Sequence, residues 1–175
     1  DADGAGAVAT GIFEGTVAFD DITLTSAGSW DCVVVAVDPE GSVEWARSFG
    51  GPGPDGCNEV ALGQDGTIVT SLDTAGGWTS PAGRLPTNGG RDTLLLSLDR
   101  TGATNWGRRV GGAGSQRGKA IAVAADGSIA FGGDTRGPLV IDDETTEVPG
   151  RGADAWISHW SGGGEHRWTR TWGGA

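Results

Sequence analysis

Apolar and polar positions fall in short alternating runs along this chain, each closed by glycine or by an Asp-Gly pair. The segment "NEVALGQ" (58–64) alternates small apolar with polar residues, the period of a strand covered on one face. Asp65-Gly66 supplies a tight hairpin turn, and "TIVTSLD" (67–73) follows as its partner. After a long variable stretch comes "TLLLSLD" (93–99), an unbroken apolar run that predicts a strand covered on both faces. The turn "DRTG" then leads to "ATNWGRRVGG", polar enough to lie outermost. No apolar face at i, i+3, i+4 persists between glycines, so no helix is expected.

This four-strand pattern recurs. "WARSFGG" (45–51) returns as "WGRRVGG" (106–112) and as "WTRTWGG" (168–174), with steps of 61 and 62 residues between the leading tryptophans. Asp31, Asp92 and Asp154 open "DCVVVAVD", "DTLLLSLD" and "DAWISHWS" at the same steps. Asp65-Gly66 and Asp126-Gly127 keep the register. Landmarks in step over the whole chain predict repeated antiparallel sheets, an all-β chain of β-propeller blades. A β-sandwich is the runner-up; it explains short strands but not the shared register. A parallel β-helix is weaker, because its rungs are shorter. The units run roughly 1–56, 57–117 and 118–175 within one repeat domain. The first unit holds three strands and the others four, so it lacks its innermost strand. Three blades are too few to close a ring. The expectation is an open or partial ring, from a larger propeller or from a chain that assembles with copies of itself.

The motif "D-[apolar run]-D-x-x-G-x-x-x-W-x-x-x-[FVW]-G-G", followed by "[apolar]-A-[apolar]-x-x-D-G", resembles the bacterial seven-bladed β-propeller (SBBP-type) repeat family. The resemblance spans essentially all 175 residues. It implies an extracellular, secreted or cell-surface protein of the bacterial envelope, and it brings no shared catalytic residues. Two features depart from the family pattern. The period is long because the stretch between the second and third strands is long, and the third copy puts Trp156, His159 and Trp160 where aliphatic or small residues stand in the others.

Composition sharpens this picture in a few places. Glycine is 34 of 175 residues, far above the usual share of about 7%; interleaved with apolar strand formers, it reads as turn chemistry rather than disorder. Twelve cations against 23 anions give a net charge of −11, which disfavours a nucleic-acid backbone. No apolar run is long enough for a membrane span. Methionine is absent, so a mature product, a fragment or an excised piece is expected. Cys32 and Cys57 are too few for a disulfide scaffold or a zinc site. They either pair in an oxidising compartment or stand as two small buried thiols, and spacing does not decide.

Candidate chemistry is sparse. Gly51-x-Gly53-x-x-Gly56 has the spacing of a dinucleotide loop, but its second copy, "GGAGSQRG", shifts the last glycine and no long helix follows. It reads as a repeat corner. Trp45, Trp106 and Trp168 are expected to pack between adjacent blades. Asp31, Asp92 and Asp154 are expected to accept backbone N–H bonds at a strand start. Function on a repeat scaffold lies where the copies differ. The inserts 11–30, 73–91 and 134–153 differ most, and the first and third read as small extra hairpins. Asp20-Asp21 and Asp142-Asp143, with Glu144 and Glu147, raise a calcium reading, although adjacent carboxylates point to opposite faces of a strand. A solvated turn is the simpler account, and no metal or other cofactor is expected. Trp30, Trp78 and Arg84 are the candidate binding residues; exposed rings would suit a protein partner or a glycan, although burial as a blade plug is the slightly preferred reading for each ring. The only histidines are His159, expected as a core imidazole, and His166, expected in a hairpin. With no nucleophile elbow and no metalloprotease motif, the reading is a non-catalytic interaction scaffold. A lectin-like propeller and a fragment of an extracellular hydrolase are the alternatives.

Overall fold

The computed structural model describes residues 6–80, 83–85, 87, 89–142, 144–148 and 152–174, with backbone alone at 79, 80, 83 and 84. The described chain is all-β, without helix, and is built as three antiparallel sheets. The first holds three strands in the order β1 (Ala7–Phe19), β2 (Ile22–Val37), β3 (Val43–Phe49). In the second, β4 (Asp55–Leu62) and β5 (Ile68–Thr74) precede a short hairpin, β6 (Trp78–Ser80) with β7 (Gly83–Leu85). Then β8 (Asp92–Leu98) and β9 (Thr104–Val110) complete the order β4-β5-β8-β9. The third repeats it: β10 (Ser115–Val123), β11 (Ile129–Arg136), hairpin β12 (Leu139–Ile141) with β13 (Glu144–Thr146), then β14 (Asp154–Trp160) and β15 (His166–Trp172). The three-four-four strand count matches the pattern read from the sequence.

Every sheet is an up-and-down meander: sheet neighbours follow one another along the chain, with the β6–β7 and β12–β13 hairpins inserted between the second and third strands of the later two sheets. Gly41, Gly102 and Gly164 end equivalent turns at φ +89°, +77° and +78°, a region that suits glycine. Each donates its N–H to the carbonyl three residues back, Asp38, Asp99 or Ser161. The inserts form hairpins in all three copies, including the middle one. In the first copy the hairpin is a continuation of β1 and β2 past an irregularity between Glu14 and Thr16. Asp20 and Asp142 both turn their hairpins at φ 48°. That is the left-handed region Asp tolerates, so Asp20 and Asp142 sit where the chain reverses.

The core lies between sheets and divides in two. Cys32, Val34 and Ala36 of β2 meet Leu94, Leu96 and Leu98 of β8 in the first core. On the opposite side of the middle sheet, Leu95 and Val69 meet Phe131, Trp156 and Trp160 in the second. Successive residues of β8 therefore face different sheets, which is why its apolar run has no polar break. Phe131 meets Trp156 edge-on at 4.9 Å, so the tryptophans peculiar to the third copy fill the second core.

Candidate interaction surface

Each outermost strand presents three side chains in a row over the strand beside it. Trp45, Arg47 and Phe49 lie opposite Ala36, Val34 and Cys32. Trp106, Arg108 and Val110 lie opposite Ser97, Leu95 and Thr93. Trp168, Arg170 and Trp172 lie opposite His159, Ile157 and Ala155. Alternation along the strand puts each row on one face, the face turned toward the next sheet.

In the first two copies the next sheet lies against the row, burying Trp45, Phe49 and Val110 and leaving Trp106 and Arg108 half-buried and Arg47 exposed. Trp45 Nε1 donates to the Arg100 carbonyl at 2.8 Å, and Arg47 Nη2 to the Thr101 carbonyl at 3.1 Å. Trp106 Nε1 donates to the Gly162 carbonyl at 3.0 Å, and Arg108 Nε to the Gly164 carbonyl at 2.8 Å. The acceptors belong to the glycine-ended turn of the following sheet. Its glycine lies against the indole: a Cβ on Gly102 would stand 2.8 Å from Trp45 Cε3, and one on Gly164 would stand 2.7 Å from Trp106 Cδ2. Arg47 and Arg108 stack over their own tryptophans, 5.8 and 5.9 Å from the ring centroids. The third row position is covered by the next sheet's hairpin. Phe49 meets Trp78 at 5.9 Å, and Val110 shares the second core with Leu139.

The paired glycines after each row have separate tasks. A Cβ on Gly50, Gly111 or Gly173 would run into the carboxyl of Asp31, Asp92 or Asp154, so the aspartate landmark and the glycine are one device. A Cβ on the second glycine would meet a carbonyl of the next hairpin, Gly77 for Gly51 and Pro138 for Gly112. The corner that carries the dinucleotide-like spacing is thus a close approach between sheets. Its Gly51 N–H is taken by Asp55 Oδ2 at 2.6 Å, and the strand β4 follows where a helix would be needed.

The candidate residues fall in different surroundings. Trp78 is buried in the first core, in line with the blade-plug reading and against its use as an exposed binding ring: its partner Phe49 comes from the preceding sheet. Trp30, opposite Glu14, is 43% exposed. Arg84 pairs with Thr79 in the β6–β7 hairpin, and its side chain lies outside the described residues. Cys32 and Cys57 form a disulfide that joins β2 to β4 across the first core. Asp31 Oδ2 accepts the Ala27 N–H at 2.8 Å, whereas Asp92 pairs with Arg109 at 3.2 Å. Asp154 is buried. Burial pushes the carboxyl of Asp31 above the ordinary range against the opposing Ala27 bond. Burial also raises Asp55, with the Asp31 charge adding to the effect. Asp20 Oδ2 accepts the Val43 N–H at 2.8 Å, a bond that ties the hairpin tip to the start of β3. Asp143 lies outside the described residues. Among the described residues no three His, Cys, Asp or Glu side chains group as a metal site.

His159 departs from the core imidazole expected of it. It is half-buried on the outer face of the third sheet and stacks on Trp168, centroids 5.4 Å apart and planes 9° apart. His166 heads β15, beside Trp160 at 5.0 Å and within 2.8 Å of Thr169 Oγ1. The third row is where the copies part company. Trp168 is 41% exposed and Trp172 57%, against 6% for Trp45 and 5% for Phe49. Sequence reading passed over Trp172 and the three arginines, although the Trp-x-Arg spacing in all three copies carries the signal.

A cleft of about 730 Å³ at the second junction is lined by Arg108, Arg109, Arg167, Asp142 and Glu165. Its cations are already engaged: Arg108 with Gly164, Arg109 with Asp92, and Arg167 with Glu165 at 2.9 Å. That leaves little for an anion to gain there. Fold and surface together define an all-β repeat protein with one uncovered aromatic sheet face. No protein-family model matches the chain, and no curated protein matches it in sequence.

Proposed function

We propose that this chain is a non-catalytic interaction module, made of stacked β-propeller-type blades, from a secreted or cell-surface protein. The observation that carries the reading is the aromatic row Trp168–Trp172 left open on the third sheet, where equivalent rows are covered. An exposed face of this kind, with two indoles and an arginine, has the composition of a binding hot spot. The blade reading is supported by the sheet-on-sheet repeat, by the adjoining first strands β1, β4 and β10, and by the likeness to bacterial seven-bladed repeats. The Cys32–Cys57 disulfide and the absence of a long apolar helix among the described residues are compatible with an extracellular setting.

The test is retention on the immobilised chain, offered surface proteins of the source cell and, separately, a soluble copy of itself. The parent is expected to hold a protein identifiable by mass spectrometry, and Trp168→Ser/Trp172→Ser to hold at least about tenfold less. Equal retention by both, or no partner of either kind, overturns the reading. A glycan-binding surface is the second reading, favoured by the exposure of Trp30 but deprived of Trp78 by its burial. A glycan array with Trp30→Ala as control addresses it.

A further inference from the structure

We propose that the corner between the first and second sheets holds a calcium ion between the buried carboxylates of Asp31 and Asp55. The site is internal to the chain, between β2 and β4, and does not depend on the interaction reading above. Asp31 and Asp55 are 2% and 0% exposed. Each Oδ2 accepts one backbone N–H, from Ala27 at 2.8 Å and from Gly51 at 2.6 Å, and each Oδ1 is buried without a hydrogen-bond partner among the described residues. The Gly50-Gly51 peptide joins the two groups. A Cβ on Gly50 would stand 2.5 Å from Asp31 Oδ1, and Gly51 is the residue bonded to Asp55. The Cys32–Cys57 bond, one residue beyond Asp31 and two beyond Asp55, clamps their strands together. The charge of Asp31 acts on Asp55. Two like charges are thus held close and out of water, which is unfavourable until a cation or a proton joins them.

The second corner shows how this fold neutralises the same place. The counterparts 61 residues on are Asp92 for Asp31, Arg109 for Ser48 and Gln116 for Asp55. Arg109 Nη1 lies 3.2 Å from Asp92 Oδ2, and a Cβ on Gly111 would stand 2.7 Å from the guanidinium and 2.4 Å from the carboxylate. At Gly50, the counterpart of Gly111, the three nearest atoms all belong to Asp31. Gln116 is neutral, and its Nε2 donates to Thr135 Oγ1 at 3.2 Å. Asp55 offers acceptors alone, and the matching Thr74 hydroxyl donates to the Gly77 carbonyl at 3.3 Å. Gln116 Oε1 also lacks a donor, so charge and not bond count separates the corners. Arg91 acts on Asp55 through its charge but forms no ion pair with it among the described residues. Position for position, the first corner is more negative by the charge of one divalent cation.

The donors here are oxygens, which selects a hard cation. Beside the carboxylates stand the carbonyls of Gly51, Pro52 and Gly77: a Cβ on Gly28 would meet the first two at 2.5 Å, and one on Gly51 would meet the third at 3.0 Å. Calcium accepts carboxylate, carbonyl and water oxygens together in irregular geometry, whereas magnesium demands a small octahedron and gives up its water reluctantly.

The experiment is calorimetric titration of the metal-free full chain with calcium chloride, with urea unfolding in parallel. The parent is expected to bind a single ion at roughly 10⁻⁴–10⁻³ M, the range of extracellular modules, and to unfold at higher urea in calcium. Asp55→Gln copies the residue of the second corner, and Ser48→Arg supplies its guanidinium. Each is expected to bind at least about tenfold more weakly and to lose the midpoint shift. Asp142→Asn, at an exposed hairpin tip, is expected to bind as the parent does. Cooperative urea unfolding in chelator shows that each variant is folded. A parent that gives neither heat nor a midpoint shift overturns the site and leaves a shared proton to neutralise the pair. A shift kept in full by Asp55→Gln overturns it too. So does an equal response to magnesium at matched ionic strength, which would mark screening of the net charge of −11.

Discussion

Cys32 on β2 and Cys57 on β4 are bonded across the first sheet-to-sheet core, with their Cα atoms 4.9 Å apart and a sequence separation of 25. The bond therefore links two units and does not brace one hairpin. Closing a loop of that size removes about 3–4 kcal/mol of chain entropy from the unfolded state. Cys32→Ser/Cys57→Ser is expected to lose stability of that order in urea denaturation. Reductant should lower the wild-type midpoint by a similar amount and leave the variant unmoved. Coincident midpoints for oxidised and reduced wild type would show that the cross-link contributes nothing.

Gly102 and Gly127 share a backbone conformation, φ +77° and +80°, in different surroundings. Alanine at either position strains the left-handed backbone by about 1–2 kcal/mol. At Gly127 a Cβ meets nothing within 4 Å, whereas at Gly102 it stands 2.8 Å from the Trp45 ring. Gly102→Ala should thus cost at least about 1 kcal/mol more than Gly127→Ala, the added cost of overpacking. The comparison cancels the backbone contribution. Equal losses would mean that the indole is not seated on the turn.

The indole N–H groups can be tested without removing the rings. Phe in place of Trp45 or Trp106 keeps an aromatic face and deletes the bond to Arg100 or Gly162. Each change leaves a turn carbonyl short of a donor, so a loss of about 1 kcal/mol is expected. Trp168→Phe should leave stability unchanged at dilutions where the chain is monomeric, since Trp168 Nε1 has no acceptor among the described residues. Calorimetry on the three variants separates them; a cost at Trp168 matching the others would contradict the open row.

Strands and turns were legible because their determinants are local. The alternation of "NEVALGQ", the Asp65-Gly66 turn and the unbroken run "TLLLSLD" each specify a strand or a reversal within a few residues. The step of about 61 residues showed that equivalent positions share a role, and the tryptophans do sit at equivalent places. What stayed hidden depends on partners in another unit. The sequence left Trp78 between an exposed ring and a blade plug, and Phe49, 29 residues earlier, is the partner that settles it as buried. His159 looks internal because Ala36 and Ser97 are buried at its position, yet on this sheet nothing described lies over that face. A repeat shows what each position does between two sheets, and a row that no described sheet covers falls outside that rule.

Asp73 ties the middle sheet to the third, and its protonation should leave a pH signature. Its Oδ2 accepts from Asn58 Nδ2 at 2.7 Å, and its Oδ1 accepts the Gly118 N–H at 3.2 Å. Burial raises its pKa, outweighing those bonds, the Thr93 hydroxyl and the charge of Arg91, which all act the other way. In the unfolded chain the carboxyl titrates near about 3.9. Between that value and the raised folded one, the native state binds more protons than the unfolded state, so the stability Asp73 contributes declines as pH rises. Asp65, Asp99 and Asp126 behave oppositely. Bonds from Thr67, Thr101 and Ser128 lower their pKa values, and their contribution is lost only as pH falls below the unfolded value. The two windows do not overlap. Urea denaturation of wild type and Asp73→Asn from pH 4 to 7 isolates one group, because the other carboxylates cancel in the difference. The stability difference, wild type minus variant, is expected to be largest near pH 4 and to shrink toward neutrality. A difference that grows with pH would mean that the native site favours the carboxylate, and that the bonds from Asn58 and Gly118 outweigh burial after all.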